Sequence, residues 1–218
     1  YRENGNKYNY SQIVKNLTAV DTQGKSDLKA EVNKLTPGGA TQANYGMQLA
    51  QSVLPSNEDS NSDKVVVMFT DGTPTSRKYF ESSVASGAIS ASKTLKDKGV
   101  KVYTVGIFDG ADSREIKGDW NKWGLEGENK NNKYMQAVSS NYPTASLTVT
   151  DWSHSWNPGK RAEGKYYLTA TDSEGLNNVF QEISDSITHT TVTANANAVL
   201  RDTLTDQFVL NGNANDIT

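Results

Sequence analysis

Cysteine is absent from this chain, so disulfides, thiolate metal sites and a cysteine nucleophile are all excluded. Histidine occurs only as His154 and His189, too little for a zinc site or a Ser-His-Asp triad. No stretch approaches the ~18 consecutive apolar residues of a membrane span. A net charge of −3 leaves no basic footprint for nucleic acid. No Gly-rich phosphate loop, nucleophile elbow or metal-hydrolase histidine pair is found, so no enzymatic activity is expected. The chain opens at Tyr1 without a signal peptide and reads as a processed protein or part of a longer one.

What is present is an alternating pattern of helices and strands. The 218 residues make one to two domains. Val65 to Phe69 is a wholly apolar run, followed by Thr70 and Asp71-Gly72-Thr73-Pro74. Such a run reads as a strand buried on both faces of a parallel sheet. In these sheets ligands bind in the crevice beyond the carboxyl ends of the strands. Asp71 is therefore a candidate ligand for a cation or polar group. It can equally be a turn residue that helps to start the next helix.

Around this strand, Ser26 to Leu35 spaces Leu28, Val32 and Leu35 on one helical face with Ser26 as cap. Pro37-Gly38-Gly39 breaks the chain, and a second helix is expected over Gln42 to Leu54. A third covers Lys78 to Lys98, with Phe80, Val84, Ala88, Ala91 and Leu95 on one side and Gly99 as its stop. The strand Val100–Phe108 follows, and its pairing with the first should be parallel through a right-handed crossover. Residues 109–164 read as a long polar insertion with a short helix over Lys133–Asn141. This stretch holds Trp120, Trp123, Trp152 and Trp156. The four indoles either form a satellite core or offer a recognition surface, with carbohydrate as one ligand class. Lys165–Ala170 is a short strand. Thr171-Asp172-Ser173-Glu174 fits a capping box before a helix with Leu176, Val179, Phe180, Ile183 and Ile187. Beyond Thr188, alternation in Thr190–Thr193 and Val199–Val209 reads as strands of a following β-rich unit.

In order and spacing these segments resemble a von Willebrand factor A-type domain. The residues carrying the resemblance are Thr36-Pro37-Gly38-Gly39-Ala40-Thr41, the strand ending in Thr70-Asp71-Gly72, the step Leu95 to Ile107, and Tyr166 to Thr171 with its helix. The resemblance implies an α/β fold: a three-layer, doubly wound, mostly parallel sheet with helices on both faces. That domain would occupy residues 1–189, with the insertion 109–164, and residues 190–218 would begin the β-rich unit. It also implies a metal-ion-dependent adhesion site, in which Thr41 and Asp71 match the family's threonine and aspartate ligands.

Within the family the chain is most similar to Gram-positive surface adhesins and pilus-associated proteins. The expected function is a secreted or cell-surface binding module. Its partner would be an extracellular protein or matrix ligand offering a carboxylate, bound through Mg²⁺ (or Mn²⁺ or Ca²⁺). A structural domain without a working metal site and an intracellular partner-binding subunit of an ATP-driven machine are the competing readings.

The family's Asp-x-Ser-x-Ser loop has no counterpart ahead of Thr41. The near matches Glu58-x-Ser60-x-Ser62 and Glu182-x-Ser184-x-Ser186 fall at the wrong end of the strand and on a helix. The chain is therefore expected to start after the family's first two strands and first helix, with Tyr8–Val20 as an edge strand and its exit. Metal affinity should be poor with Thr41 and Asp71 alone. The open sheet should be unstable or be completed by pairing with the Thr190–Leu210 segment.

Overall fold

The computed structural model describes residues 2–3, 6–7, 11–36, 39–54, 63–71, 73–77, 79–116, 125 and 129–188. Arg2–Glu3 (β1) and Asn6–Lys7 (β2) form a small antiparallel pair. Helices Thr22–Asn33 (α1) and Ala43–Val53 (α2) follow. The alternating core consists of Val65–Thr70 (β3), Ser82–Asp97 (α3), Lys101–Gly106 (β4) and Lys130–Val138 (α4). A hairpin of Ser146–Val149 (β5) and His154–Asn157 (β6) precedes Tyr167–Thr169 (β7) and Ser173–Thr188 (α5).

The main sheet is parallel, in the order β3-β4-β7. Its alternating side chains feed two clusters. Val102 and Tyr167, with Val66 and Met68 at the margin, pack with α2, α3, α4 and the hairpin on one face. Tyr103, Val105 and Leu168 pack with Val179 and Ile183 of α5 on the other. Helices therefore cover both faces of a parallel sheet, the doubly wound α/β arrangement expected.

α3 buries Val84, Ala85, Ala88, Ile89, Ala91, Ser92 and Leu95, a helical spacing with small residues where α2 crosses closely. Gly87 is needed there because a Cβ would press on the Asn44 side chain. Lys96 extends from the last turn of α3 and its Nζ donates to the carbonyls of Ala137, Val138, Ser139 and Tyr142 at 2.9–3.3 Å. Three of those carbonyls lie at the acceptor end of α4, where a cation is favourable, and Tyr142 O lies just beyond it. Burial pushes the Lys96 ammonium down to about 7, with Asp97 pulling the other way.

Several boundaries differ from the sequence reading. α1 starts at Asp21, whose carboxylate accepts from Gly24 N–H at 2.7 Å, and Ser26 lies inside the helix. The chain at 18–19 passes so close that a Cβ at Gly24 would overlap the Ala19 carbonyl. Phe80 precedes α3 and packs edge-on against Tyr134. Before α5 it is Asp172, rather than Thr171, that caps, accepting from Gly175 N–H at 2.7 Å. Residues 11–20 contain no strand, so the expected edge strand over Tyr8–Val20 is not formed there. The β-rich reading of 190–218 lies outside the described residues.

Within 109–164 the helix expected over Lys133–Asn141 forms as α4 over Lys130–Val138, and although the stretch is polar in sequence, every residue from Asn132 to Val138 is buried. Its polar members are buried because they bond neighbouring loops. Asn132 donates to Gly110 O at 2.9 Å and accepts from the Tyr167 hydroxyl at 2.6 Å. Gln136 donates to Ser113 O and accepts from Asn141. Each bond offsets the desolvation cost of a buried amide.

Candidate functional site

The crevice lies beyond the carboxyl end of β3. Thr41, on the approach to α2, and Asp71, directly after β3, line one groove of about 710 Å³ that continues along the strand. The two loops are joined by backbone, since Thr75 N–H donates to Thr41 O at 3.0 Å. Thr41 is not the cap of α2. Gln42 holds that position without a side-chain hydrogen bond.

The loop carrying Asp71 is pinned on two further sides. Asn131 donates to the Thr73 hydroxyl at 3.0 Å from the start of α4. Glu81 accepts from Ser76 N–H at 3.0 Å, from the Ser76 hydroxyl at 2.7–2.8 Å and from the Thr75 hydroxyl at 3.2 Å. The Ser76 hydroxyl is the main reason that the Glu81 carboxyl sits below its usual range, against the effect of partial burial. The Glu81–Ser76 latch was not anticipated, although a hydroxyl pair followed by an acid just before a helix is a readable signal. Because α3 begins only at Ser82, Asp71 is too far upstream to start it. Asp71 is exposed, so its carboxylate is accessible from solvent.

A hydroxyl and a carboxylate are the hard oxygen donors that Mg²⁺, Mn²⁺ and Ca²⁺ take. Thr41 and Asp71 thus fit such an ion in kind. In number they leave most of its coordination to other groups, because no cluster of three or more His, Cys, Asp or Glu forms among the described residues. The near match Glu182-Ser184-Ser186 is not a substitute. Ser186 is hydrogen-bonded to Ile183 O and to the Tyr103 hydroxyl on the α5 face of the sheet. Residues 58, 60 and 62 lie outside the described residues.

The tryptophans separate. Trp156 is a buried member of the main core cluster, so its place in a recognition surface is corrected: it pins the hairpin down. Trp152 stands at the turn between β5 and β6 and is 96% exposed. That turn is held by Thr150 N–H to Ser153 O at 2.9 Å and Ser153 N–H to the Thr150 hydroxyl at 3.0 Å. The hairpin is tied to α3 by the Ser86 hydroxyl on Leu147 O. Trp120 and Trp123 lie outside the described residues.

Against known families, the model for the von Willebrand factor type A domain matches residues 6–156. Searches of the curated proteins and of the solved structures returned no match.

Proposed function

The chain belongs to the von Willebrand factor type A domain family, whose members commonly serve in protein interaction and adhesion, and from that premise we propose that it is a surface adhesion module which takes a carboxylate from an extracellular partner in the crevice beyond β3. The observation that carries this reading is the convergence of Thr41 and Asp71 on one open groove from loops bonded to each other.

Thr41 and Asp71 would hold a divalent cation by its oxygen-facing side, and the cation would supply a positive centre for the partner's carboxylate. Water and the partner would complete the coordination, so affinity for the ion alone is low. The Thr75–Thr41 bond and the Glu81 latch fix the two loops before binding, which lowers the ordering cost of association. Trp152, exposed on the β5–β6 turn, is an aromatic anchor of the kind that dominates interface energetics, on a surface separate from the groove lining. Secretion to a bacterial surface belongs to this reading and follows the sequence resemblance.

The test is Mn²⁺ titration of the isotopically labelled chain, followed by nuclear relaxation. Selective broadening of the amides at 40–42 and 71, abolished by Asp71→Ala, is the expected result. Uniform weak broadening unaffected by that substitution would overturn the metal-dependent reading and leave a structural domain.

A further inference from the structure

The groove that holds Thr41 and Asp71 does not end at them. It runs back along the outer side of β3, with Val66 to Phe69 on one wall and α2 on the other. The strand wall offers main-chain groups. Lys101 N–H bonds to Lys64 O and Ile107 N–H to Thr70 O, at the two ends of the parallel ladder between β3 and β4. In a strand the N–H and C=O of one residue point the same way, so the even-numbered residues of β3 are turned to β4. Val65, Val67 and Phe69 turn theirs outward, and β3 has one strand neighbour among the described residues. Val67 and Phe69 are also 38% and 45% exposed.

The α2 wall leaves room beside this edge. Ala43, Gly46, Met47 and Ala50 line it, the i, i+3, i+4, i+7 spacing of one helical face, and all but Met47 are Ala or Gly. At Gly46 a Cβ would meet nothing within 4 Å. On the opposite face of the sheet Phe69 stacks on Phe180 of α5, with ring centroids 6.2 Å apart, and both rings are half exposed. An extended chain beside β3 would therefore set alternate side chains against α2 and beside Val67 and Phe69.

These walls select their occupant. Outward N–H and C=O groups at every second residue are matched by an extended backbone, whereas a helix has already bonded its own. Asp71 is the one charged residue among the described residues lining the groove, so the body of the groove suits uncharged side chains and the charge sits at one end. A second copy of the chain matches less well. Two antiparallel β3 strands satisfy all their outward groups with Val67 opposite Val67. That register sets Asp71 of each copy opposite Asp63 of the other, and like charges directly opposite are destabilising.

We propose, resting on the cation-mediated reading above, that the partner's contact segment is an extended chain that adds to the outer edge of β3. Every second residue is a small apolar one turned to α2, and the residues between lie beside Val67 and Phe69. An acidic side chain stands at the end over Thr41 and Asp71. Main-chain bonds supply the affinity, the α2 wall selects side chains, and the carboxylate fixes the register.

The test uses the isotopically labelled full chain in Mg²⁺. The probe is a synthetic peptide of alternating valine and threonine with glutamate at one end, made in both directions, beside the same peptides with glutamine. One glutamate peptide should slow amide exchange at Val65, Val67 and Phe69 by about 10-fold or more. It should leave Val66 and Met68, already bonded to β4, unchanged. Gly46→Leu, which fills the open space on α2, should abolish that protection while its α3 amides report an intact core. No protection by either direction, with Mn²⁺ broadening retained at 40–42 and 71, would overturn strand addition and leave the cation reading standing. Equal protection by the glutamate and glutamine peptides would overturn the acidic end of the proposal, and absence of Mn²⁺ broadening would separately overturn the reading on which that end rests. Protection of the same three amides in the free chain would also overturn the proposal. The chain itself would then cover the edge, or a second copy would where protection rises with protein concentration.

Discussion

α1 and α3 are both amphipathic in sequence, but they have very different surroundings. α3 lies between α2, the sheet, α4 and the hairpin, and seven of its residues are buried. α1 buries only Gly24, and its apolar residue Val32 is 61% exposed, as are Leu17 and Val20 before it to a similar degree. The difference is between a helix held by tertiary packing and one held by its cap and its own hydrogen bonds. Since helical stability in proteins comes mostly from packing of the apolar face, the region from α3 to β7 should be the stable body of the molecule. The segment 11–35 with α1 should be its adaptable side, whereas α2, with Met47 in the core, belongs to the stable body.

The largest expected contrast is in side-chain truncation. Met135→Ala, at a fully buried position of α4, should cost about 2–5 kcal/mol, whereas Leu17→Ala and Val32→Ala should each fall within about 0.5 kcal/mol. Urea unfolding of the three variants measures both, and comparable losses would erase the distinction. Next in size is Lys96→Met. It removes a donor from four carbonyls at and just beyond the end of α4. Val138 O keeps the Ser92 hydroxyl, Ser139 O the Tyr142 amide and Tyr142 O the Ala145 amide, so losing the bond to Ala137 O should dominate a cost of about 2 kcal/mol. A neutral result would mean that α4 is held by its apolar contacts alone.

Capping gives a smaller effect. Asp172→Ala should destabilise by about 1 kcal/mol, while Thr171→Ala should change little, which separates the observed cap from the one expected from the motif. The smallest effect concerns the site. Glu81 has its carboxyl lowered by Ser76, so its stabilisation is fully present above the ordinary glutamate range and is lost as pH falls through the lowered folded value. The Ser76 amide resonance should shift in that acidic window in the native chain and not in Glu81→Gln.

The sequence made the stable body legible where hydrophobic period and burial agree. Val65–Phe69 is a continuous apolar run and α3 a clean stripe, and both elements form there. Phe80 precedes α3, however, and Val67 and Phe69 are exposed, so the strand is not buried on both faces as expected. α4 was expected over Lys133–Asn141, but its burial was hidden because Asn132, Lys133 and Gln136 look like surface residues, and only the groups around them explain it. α1 was displaced by a turn because Asp21 precedes a polar first turn, Thr22-Gln23-Gly24, that has no periodic signal. Of the candidate site, Thr41 and Asp71 were readable from the family resemblance, and they line a common groove. The Asn131–Thr73 bond was not readable, since it joins residues whose proximity only the fold creates, whereas the Glu81 latch closes over five residues and its hydroxyl-hydroxyl-acid signal lies in the local sequence. Trp152 and Trp156 show the same limit: identical residues four apart, one exposed in the hairpin turn and one in the core on β6.

The most direct test of the two-region account is residue-resolved hydrogen exchange on the full chain. Amides of α3, α4 and β4 should exchange only through global unfolding, and those of α1 through local opening at rates orders of magnitude faster. Equal protection of α1 and α3 would contradict it, and would mean that the exposed face of α1 is packed in solution.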